Sequence, residues 1–74
     1  MAELDARGLS CPLPVLRTNK ILKTLPAGSL LRVLATDAGA LADIPAFCRQ
    51  TGHVLVDQSS QDGLFTFVIR RSKI

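Results

Sequence analysis

Residues 29–36 read Ser-Leu-Leu-Arg-Val-Leu-Ala-Thr and predict a β-strand. The side chains of a strand alternate between its two faces, so Leu31, Val33 and Ala35 share one face. The other face carries Arg32 between two leucines and is only partly solvated. The stretch therefore predicts a strand whose fully apolar face lies in the protein core.

Two elements precede this strand. Residues 4–7 predict a short first strand that ends at Gly8, and Pro12 opens a helix that extends to about Leu25. Proline suits the first helical position, because its missing N–H would have no helical partner there. The residue before a proline avoids the α region, so Pro26 stops the helix. The side of this helix that is predicted to face the core carries Val15, Thr18, Ile21, Leu22 and Leu25.

A second helix is predicted over residues 40–51. It ends at Gly52, because a glycine just after a helix commonly terminates it. Pro45 leaves the start of this helix open between two alternatives. Either one helix begins at residue 40, or Asp43 caps a helix that begins at Ile44 and has Pro45 in its first turn.

The last two elements are predicted to be strands, over residues 53–58 and 64–71. The loop between them contains Asp62-Gly63, a pair that is typical of a β-hairpin turn. The full order is strand, helix, strand, helix, strand, strand. Two helices on one face of a four-stranded mixed sheet would bury both of their apolar sides. We therefore expect an α/β fold, a two-layer sandwich that forms a single domain over residues 1–74.

The 74-residue length and the two cysteines exclude several classes of protein. No apolar run approaches the roughly 18–20 residues of a membrane-spanning helix, and the polar N-terminus does not resemble a signal peptide. We therefore expect a cytoplasmic protein with reduced thiols and no membrane partner. Cys11, Cys48 and His53 are too few and too scattered for a structural zinc site, and we expect no metal or cofactor. Pro14 stands where a thioredoxin-type dithiol would have its second cysteine.

Residues 11–14, Cys-Pro-Leu-Pro, contain the candidate reactive group. We expect Cys11 at the N-cap of the first helix, where the helix dipole places about half a positive charge and favours an anion. Such a position lowers the pKa of a thiol, and the thiolate is the nucleophile. Pro12 and Pro14 lack N–H groups, whereas Leu13 keeps its own, so the sulfur should sense the dipole without being tightly held by amides. The alternative is that Cys11 is only a small residue at a helix start.

Leu13 and Leu16 fall on the basic side of the first helix, one turn from Cys11, where apolar side chains are unexpected. Exposed apolar residues beside a reactive atom are typical of a docking surface. Arg17 and Lys20 on the same side would then attract an acidic partner, in keeping with the net charge of +3. The alternative is an ordinary solvated face with scattered leucines.

Four other residues are interpreted as structural. Cys48 lies on the apolar side of the second helix, and a buried cysteine behaves as a small hydrophobic residue. Asp37 and Asp43 occupy positions that are typical of helix caps. His53 starts a strand and has no partner in the sequence pattern.

Residues 4–14, Leu-Asp-Ala-Arg-Gly-Leu-Ser-Cys-Pro-Leu-Pro, resemble the opening signature of the TusA-like (SirA/YedF) sulfur carrier family. The resemblance continues through Asp37, residues 43–47 and residues 65–70, and so covers nearly the whole chain. It implies a two-layer α/β sandwich in which Cys11 accepts sulfane sulfur, as a persulfide, from a cysteine desulfurase or a rhodanese-like donor. The sulfur would then pass to an acceptor protein that serves tRNA thiolation, cofactor assembly or sulfur oxidation.

The predicted sulfur carrier is sulfurtransferase-like rather than a stand-alone enzyme. Two other functions remain open. The first is a non-catalytic regulatory or nucleic-acid-interaction domain that uses the basic helix face. Against this hypothesis, Phe47, Phe65 and Phe67 are all predicted to lie in the core. No aromatic side chain is then left on the surface for bases to stack on. Direct nucleic-acid binding is therefore not expected. The second is a thiol-redox protein, which the lack of a nearby second cysteine disfavours.

Overall fold

The computed structural model describes residues 1–72. Along those residues the elements are β1 (Ala2–Ala6), α1 (Leu13–Leu22), β2 (Leu30–Ala35), α2 (Ala40–Thr51), β3 (Val54–Gln61) and β4 (Leu64–Arg70). The predicted order of strand, helix, strand, helix, strand, strand is confirmed.

The four strands form one mixed sheet in the order β1-β2-β4-β3. β1 is parallel to β2, whereas β4 is antiparallel to both of its neighbours, β2 and β3. Parallel neighbours need a crossover connection, which α1 provides between β1 and β2. The carboxyl ends of β1 and β2 therefore lie at the same edge of the sheet. This places the segments that follow them, residues 7–12 and 36–39, side by side.

The core lies between one face of the sheet and the two helices. The strand register places Leu4 opposite Val33, and Val33 opposite Phe67, and all three side chains are buried. From the helices, Leu22 and Ile44 are completely buried in the same apolar cluster. The predicted two-layer α/β sandwich, with both helices on one face of the sheet, is therefore confirmed.

The first helix is shorter than predicted, because its last carbonyl groups accept hydrogen bonds in a tight i→i+3 turn. It ends at Leu22 rather than near Leu25. The Thr24 N–H donates to the Ile21 carbonyl oxygen at 2.9 Å, and the Leu25 N–H donates to the Leu22 carbonyl oxygen at 3.2 Å. The Thr24 hydroxyl donates a hydrogen bond to the Ile21 carbonyl oxygen at 2.7 Å. The Arg71 Nε–H donates to the Leu22 carbonyl oxygen at 2.6 Å. These side-chain bonds add to those of the turn and satisfy the carbonyl groups at the helix end.

The second helix begins at Ala40, which decides between the two alternatives left open by the sequence. The Asp43 N–H donates a hydrogen bond to the Gly39 carbonyl oxygen at 3.0 Å, so Asp43 lies in the first turn and is not the cap. Pro45 is accommodated inside the helix. The predicted end is confirmed, since Gly52 adopts the left-handed conformation, with a φ of 87°.

The hairpin between β3 and β4 has a tighter turn than predicted. β3 extends to Gln61, beyond the expected end at residue 58, so only Asp62 and Gly63 connect the two strands. Their φ angles of 52° and 80° are both positive, as the two-residue type I′ turn requires. The predicted hairpin is confirmed, with a two-residue turn in place of a five-residue loop.

Candidate functional site

The segments that follow β1 and β2 bring Cys11 beside the start of α2. The Gly8 N–H donates a hydrogen bond to Thr36 Oγ1 at 2.9 Å, and the Cys11 N–H donates to Asp37 Oδ2 at 2.9 Å. Gly8 has a φ of 80°, a conformation that glycine adopts without strain, and so turns the chain after β1. Two long-range hydrogen bonds therefore hold the backbone of the loop that carries Cys11.

Cys11 precedes the cap of α1 rather than forming it. The helix begins at Leu13, and its N-cap is Pro12, with φ and ψ of −98° and 17°. The Leu13 N–H donates to the Ser10 carbonyl oxygen at 2.9 Å, while Pro12 and Pro14 have no N–H. None of these three residues offers a free N–H to the sulfur. The N-cap position predicted for Cys11 is therefore wrong.

The Cys11 thiol is held by a carboxylate instead. Its Sγ donates a hydrogen bond to Asp43 Oδ2 over 2.7 Å, although the two residues are 32 positions apart in the sequence. This bond raises the pKa of the Cys11 thiol, because it stabilises the protonated form. Desolvation and the negative charges of Asp43 and Asp37 act in the same direction. The predicted lowering of this pKa by the helix dipole is therefore wrong.

Two aspartates whose positions in the sequence are typical of helix caps thus contact Cys11. Asp37 accepts a hydrogen bond from its backbone, and Asp43 accepts one from its thiol. The sequence held one signal for this arrangement. Both aspartates follow the strand at residues 29–36, and Cys11 follows the first strand. Adjacent parallel strands would bring all three residues to one edge of the sheet.

The close approach of these two segments depends on Gly39. A Cβ atom at this position would lie 3.0 Å from Asp37 Oδ2 and 3.4 Å from Cys11 Cβ. The φ of Gly39 is −59°, a value that any L-residue adopts. The need for glycine here therefore comes from packing against the site and not from the backbone conformation.

An open groove of about 290 Å³ lies beside Cys11 and is lined by both helices. Val15 from α1 and Ala46 and Phe47 from α2 provide apolar walls, and Asp43 also lines it. The Cys11 thiol therefore lies at an open groove with mainly apolar walls.

The candidate docking residues are exposed. Leu13 and Leu16 are 39% and 56% exposed, and Arg17 and Lys20 are also on the surface. The structure therefore leaves this side of α1 accessible to a partner, as the sequence predicts. Its use as a docking surface remains a prediction.

The two cysteines differ in accessibility. Both are free, but Cys11 is exposed, whereas Cys48 is only 4% exposed and packs in the core. Burial raises the pKa of the Cys48 thiol, which further disfavours its thiolate. The predicted core position of Cys48 is confirmed, and Cys11 is the thiol that another protein can reach.

His53 makes contacts that do not involve Cys11. Its Nδ1 accepts a hydrogen bond from the Ser72 N–H at 3.0 Å, and its ring lies 5.7 Å from that of Phe47. Desolvation and the nearby charge of Arg71 lower the pKa of His53.

Among residues 1–72, no three potential ligands are grouped closely enough to hold a metal ion. In that same part of the chain, neither helix is long and apolar enough to span a membrane.

Comparison with known proteins places the chain in a family. The family model described as Sulfurtransferase TusA matches residues 2–71. The chain is 60% identical over 67 residues to a candidate sulfur carrier protein of Neisseria meningitidis serogroup A, covering 90% of each chain. It is 47% identical over 70 residues to the sulfur carrier protein TusA of Allochromatium vinosum, covering 95% of this chain and 92% of that protein. The crystal structure of a SirA-like protein from Desulfitobacterium hafniense superposes with a TM-score of 0.85 at 27% identity, covering 99% and 100% of the two chains. The chain therefore belongs to the TusA family of sulfur carrier proteins.

Proposed function

We propose that the protein carries sulfane sulfur as a persulfide on Cys11. The observation that carries the proposal is the difference between its two cysteines, since Cys11 is exposed and Cys48 is buried. Transfer of sulfur between two proteins requires direct contact between two sulfur atoms, and so needs an accessible thiol. Membership of the TusA family supports the same function.

The proposed reaction moves one sulfur atom and needs no oxidant. During loading, the Cys11 sulfur attacks the outer sulfur of a persulfide on the donor protein. The donor's sulfur–sulfur bond breaks, and the donor cysteine leaves as a thiol. The proposed donor is a cysteine desulfurase or a rhodanese-like protein in the cytoplasm. The proposed acceptor is a protein of tRNA thiolation, cofactor assembly or sulfur oxidation, whose own nucleophile attacks the outer sulfur of the Cys11 persulfide.

A regulatory or nucleic-acid-interaction role has less support in the described residues. Phe47 and Phe67 are buried, and Phe65 is half-buried and packs against the core, so none of the three is an exposed aromatic side chain of the kind on which bases stack. The basic residues of α1 fit an acidic protein partner equally well.

Intact-mass measurement after incubation with a sulfur donor tests the proposal. Either a cysteine desulfurase with cysteine or a rhodanese with thiosulfate supplies the sulfur. We expect the protein and its Cys48→Ala variant to gain one sulfur atom, because Cys48 is buried and takes no part. We expect Cys11→Ser to gain none. A sulfur gain by Cys11→Ser, or no gain by the unmodified protein with either donor, would show that the proposal is wrong.

We further propose that the exposed side of α1 docks the donor. Leu16 is 56% exposed, so Leu16→Ser should leave the fold intact while removing an apolar contact from the interface. We expect the variant to bind the desulfurase or rhodanese about tenfold more weakly, as the loss of roughly 1.4 kcal/mol implies. Titration calorimetry measures this affinity.

The matched control for docking is Val56→Ser. Val56 is an exposed apolar residue on β3, 48% accessible and outside α1. It should bind the donor as tightly as the unmodified protein. Equal affinities for Leu16→Ser and Val56→Ser would exclude this side of α1 as the docking surface.

A further inference from the structure

We propose that Asp43 accepts the proton of the Cys11 thiol as the sulfur attacks the donor, an inference that rests on the proposed persulfide function. Asp43 Oδ2 lies 2.7 Å from Cys11 Sγ, inside the distance range required of a general base. The carboxylate is half-buried and lines the same groove as the thiol. It is therefore in contact with the reacting atom before any partner arrives.

The need for such a base follows from the electrostatics of the site. A thiolate attacks sulfur far better than a thiol does. Asp43 and Asp37 both raise the pKa of Cys11, so the resting sulfur keeps its proton at neutral pH. A thiol in this state resists small oxidants and alkylating agents. It becomes a nucleophile for the donor only if its proton leaves during the attack.

The fold fixes the backbone position of Asp43. It lies in the first turn of α2, and its backbone N–H is bonded to the Gly39 carbonyl oxygen at 3.0 Å. The Cys11 backbone is held by Asp37. Both partners of the thiol–carboxylate contact are thus anchored through their backbones, and preorganised contacts of this kind favour proton transfer.

The proposed step balances in atoms and electrons. The Cys11 S–H bond breaks, and the proton passes to Asp43 Oδ2. The freed electron pair of Sγ forms a bond with the outer sulfur of the donor persulfide. The donor's sulfur–sulfur bond breaks, and its electron pair leaves on the donor cysteine. The proton then moves from Asp43 to that cysteine, so that a thiol and a persulfide become a persulfide and a thiol.

The variant Asp43→Asn separates proton acceptance from a purely electrostatic or structural role. Asparagine keeps the size of the side chain and an oxygen that accepts the thiol hydrogen bond, but it takes no proton and carries no charge. Loss of the charge lowers the pKa of Cys11, which the pH dependence of alkylation by iodoacetamide measures. Loading from a desulfurase should nevertheless become about 100-fold slower at pH 7, the size of effect that general-base catalysis typically has. The loading rate should recover as the pH rises and the thiolate forms.

Two further variants complete the test. Asp57→Asn removes an equal charge from exposed β3 and should alter neither the pKa of Cys11 nor the loading rate. Asp43→Glu keeps a carboxylate and should load faster than Asp43→Asn. This comparison also keeps the proposal testable if the asparagine variant folds poorly. If the unmodified protein gains no sulfur on Cys11, the proposed function itself fails. If it gains sulfur and Asp43→Asn loads at least as fast at pH 7, the carrier function stands and the role of Asp43 is refuted.

Discussion

Replacing Gly39 with valine is expected to slow sulfur loading of Cys11 by about 100-fold while leaving the fold intact. Even a Cβ atom at this position would lie 3.0 Å from Asp37 Oδ2 and 3.4 Å from Cys11 Cβ. Valine adds two further methyl groups, so the loop that carries Cys11 must move away from α2. A misplacement of about 1 Å at a reacting centre can cost a factor of about 100 in rate. The loading rate from a desulfurase, with circular dichroism to verify folding, measures this effect.

The control for this variant is Ala38→Val. Ala38 is the preceding residue and is exposed, so the added methyl groups point into solvent. It should load at the rate of the unmodified protein. Gly39→Ala should show a smaller defect than Gly39→Val, because one methyl group requires a shift of only a few tenths of an ångström. A Gly39→Val protein that loads at the normal rate would contradict the close packing on which the site is built.

Phe67→Ala is expected to destabilise the protein by about 3–5 kcal/mol. Phe67 lies on β4, one of the two inner strands, opposite Val33, and is completely buried beneath the helices. Removing its ring leaves a cavity that a core of this size fills only in part. A total stability of about 0.05–0.15 kcal/mol per residue gives roughly 4–11 kcal/mol for a chain of this length. The substitution therefore removes a large part of the stability, which urea denaturation will measure.

Val68→Ala is the matched control for the core. Val68 is the next residue of β4, so its side chain points to the face of the sheet that the helices do not cover. It is only half-buried, and its truncation should cost about 1 kcal/mol. Similar losses for Phe67→Ala and Val68→Ala would mean that the core does not lie on the face that carries Phe67.

Much of the fold could be predicted because the relevant signals are local. The alternation of Leu31, Val33 and Ala35 predicts a strand with one buried face, and these three side chains are completely buried. The Asp62-Gly63 pair predicts a hairpin, and both residues adopt the positive φ that the turn needs. Neighbouring residues alone determine these patterns, so no knowledge of the tertiary structure is required.

The structure differs from the predictions where residues distant in the sequence come into contact. The first helix ends early, and at its end Arg71, which is 49 positions further along the chain, donates a hydrogen bond to the Leu22 carbonyl oxygen. The predicted direction of the Cys11 pKa shift is wrong because the thiol contacts Asp43, which is 32 positions away in the sequence. The residues next to Cys11 indicate only the helix dipole, whereas Asp43 lies in the other helix. A carboxylate in direct contact with a thiol outweighs the partial charge of a helix end.

The most direct test of the account is to locate the transferred sulfur. Trypsin cleaves after arginine, so Cys11 lies in the peptide of residues 8–17 and Cys48 in the peptide of residues 33–49. The protein is loaded by a desulfurase, alkylated to trap the persulfide, digested and analysed by mass spectrometry. We expect one additional sulfur atom in the peptide that contains Cys11. An additional sulfur in the peptide that contains Cys48, with none on Cys11, would contradict the proposed function of Cys11.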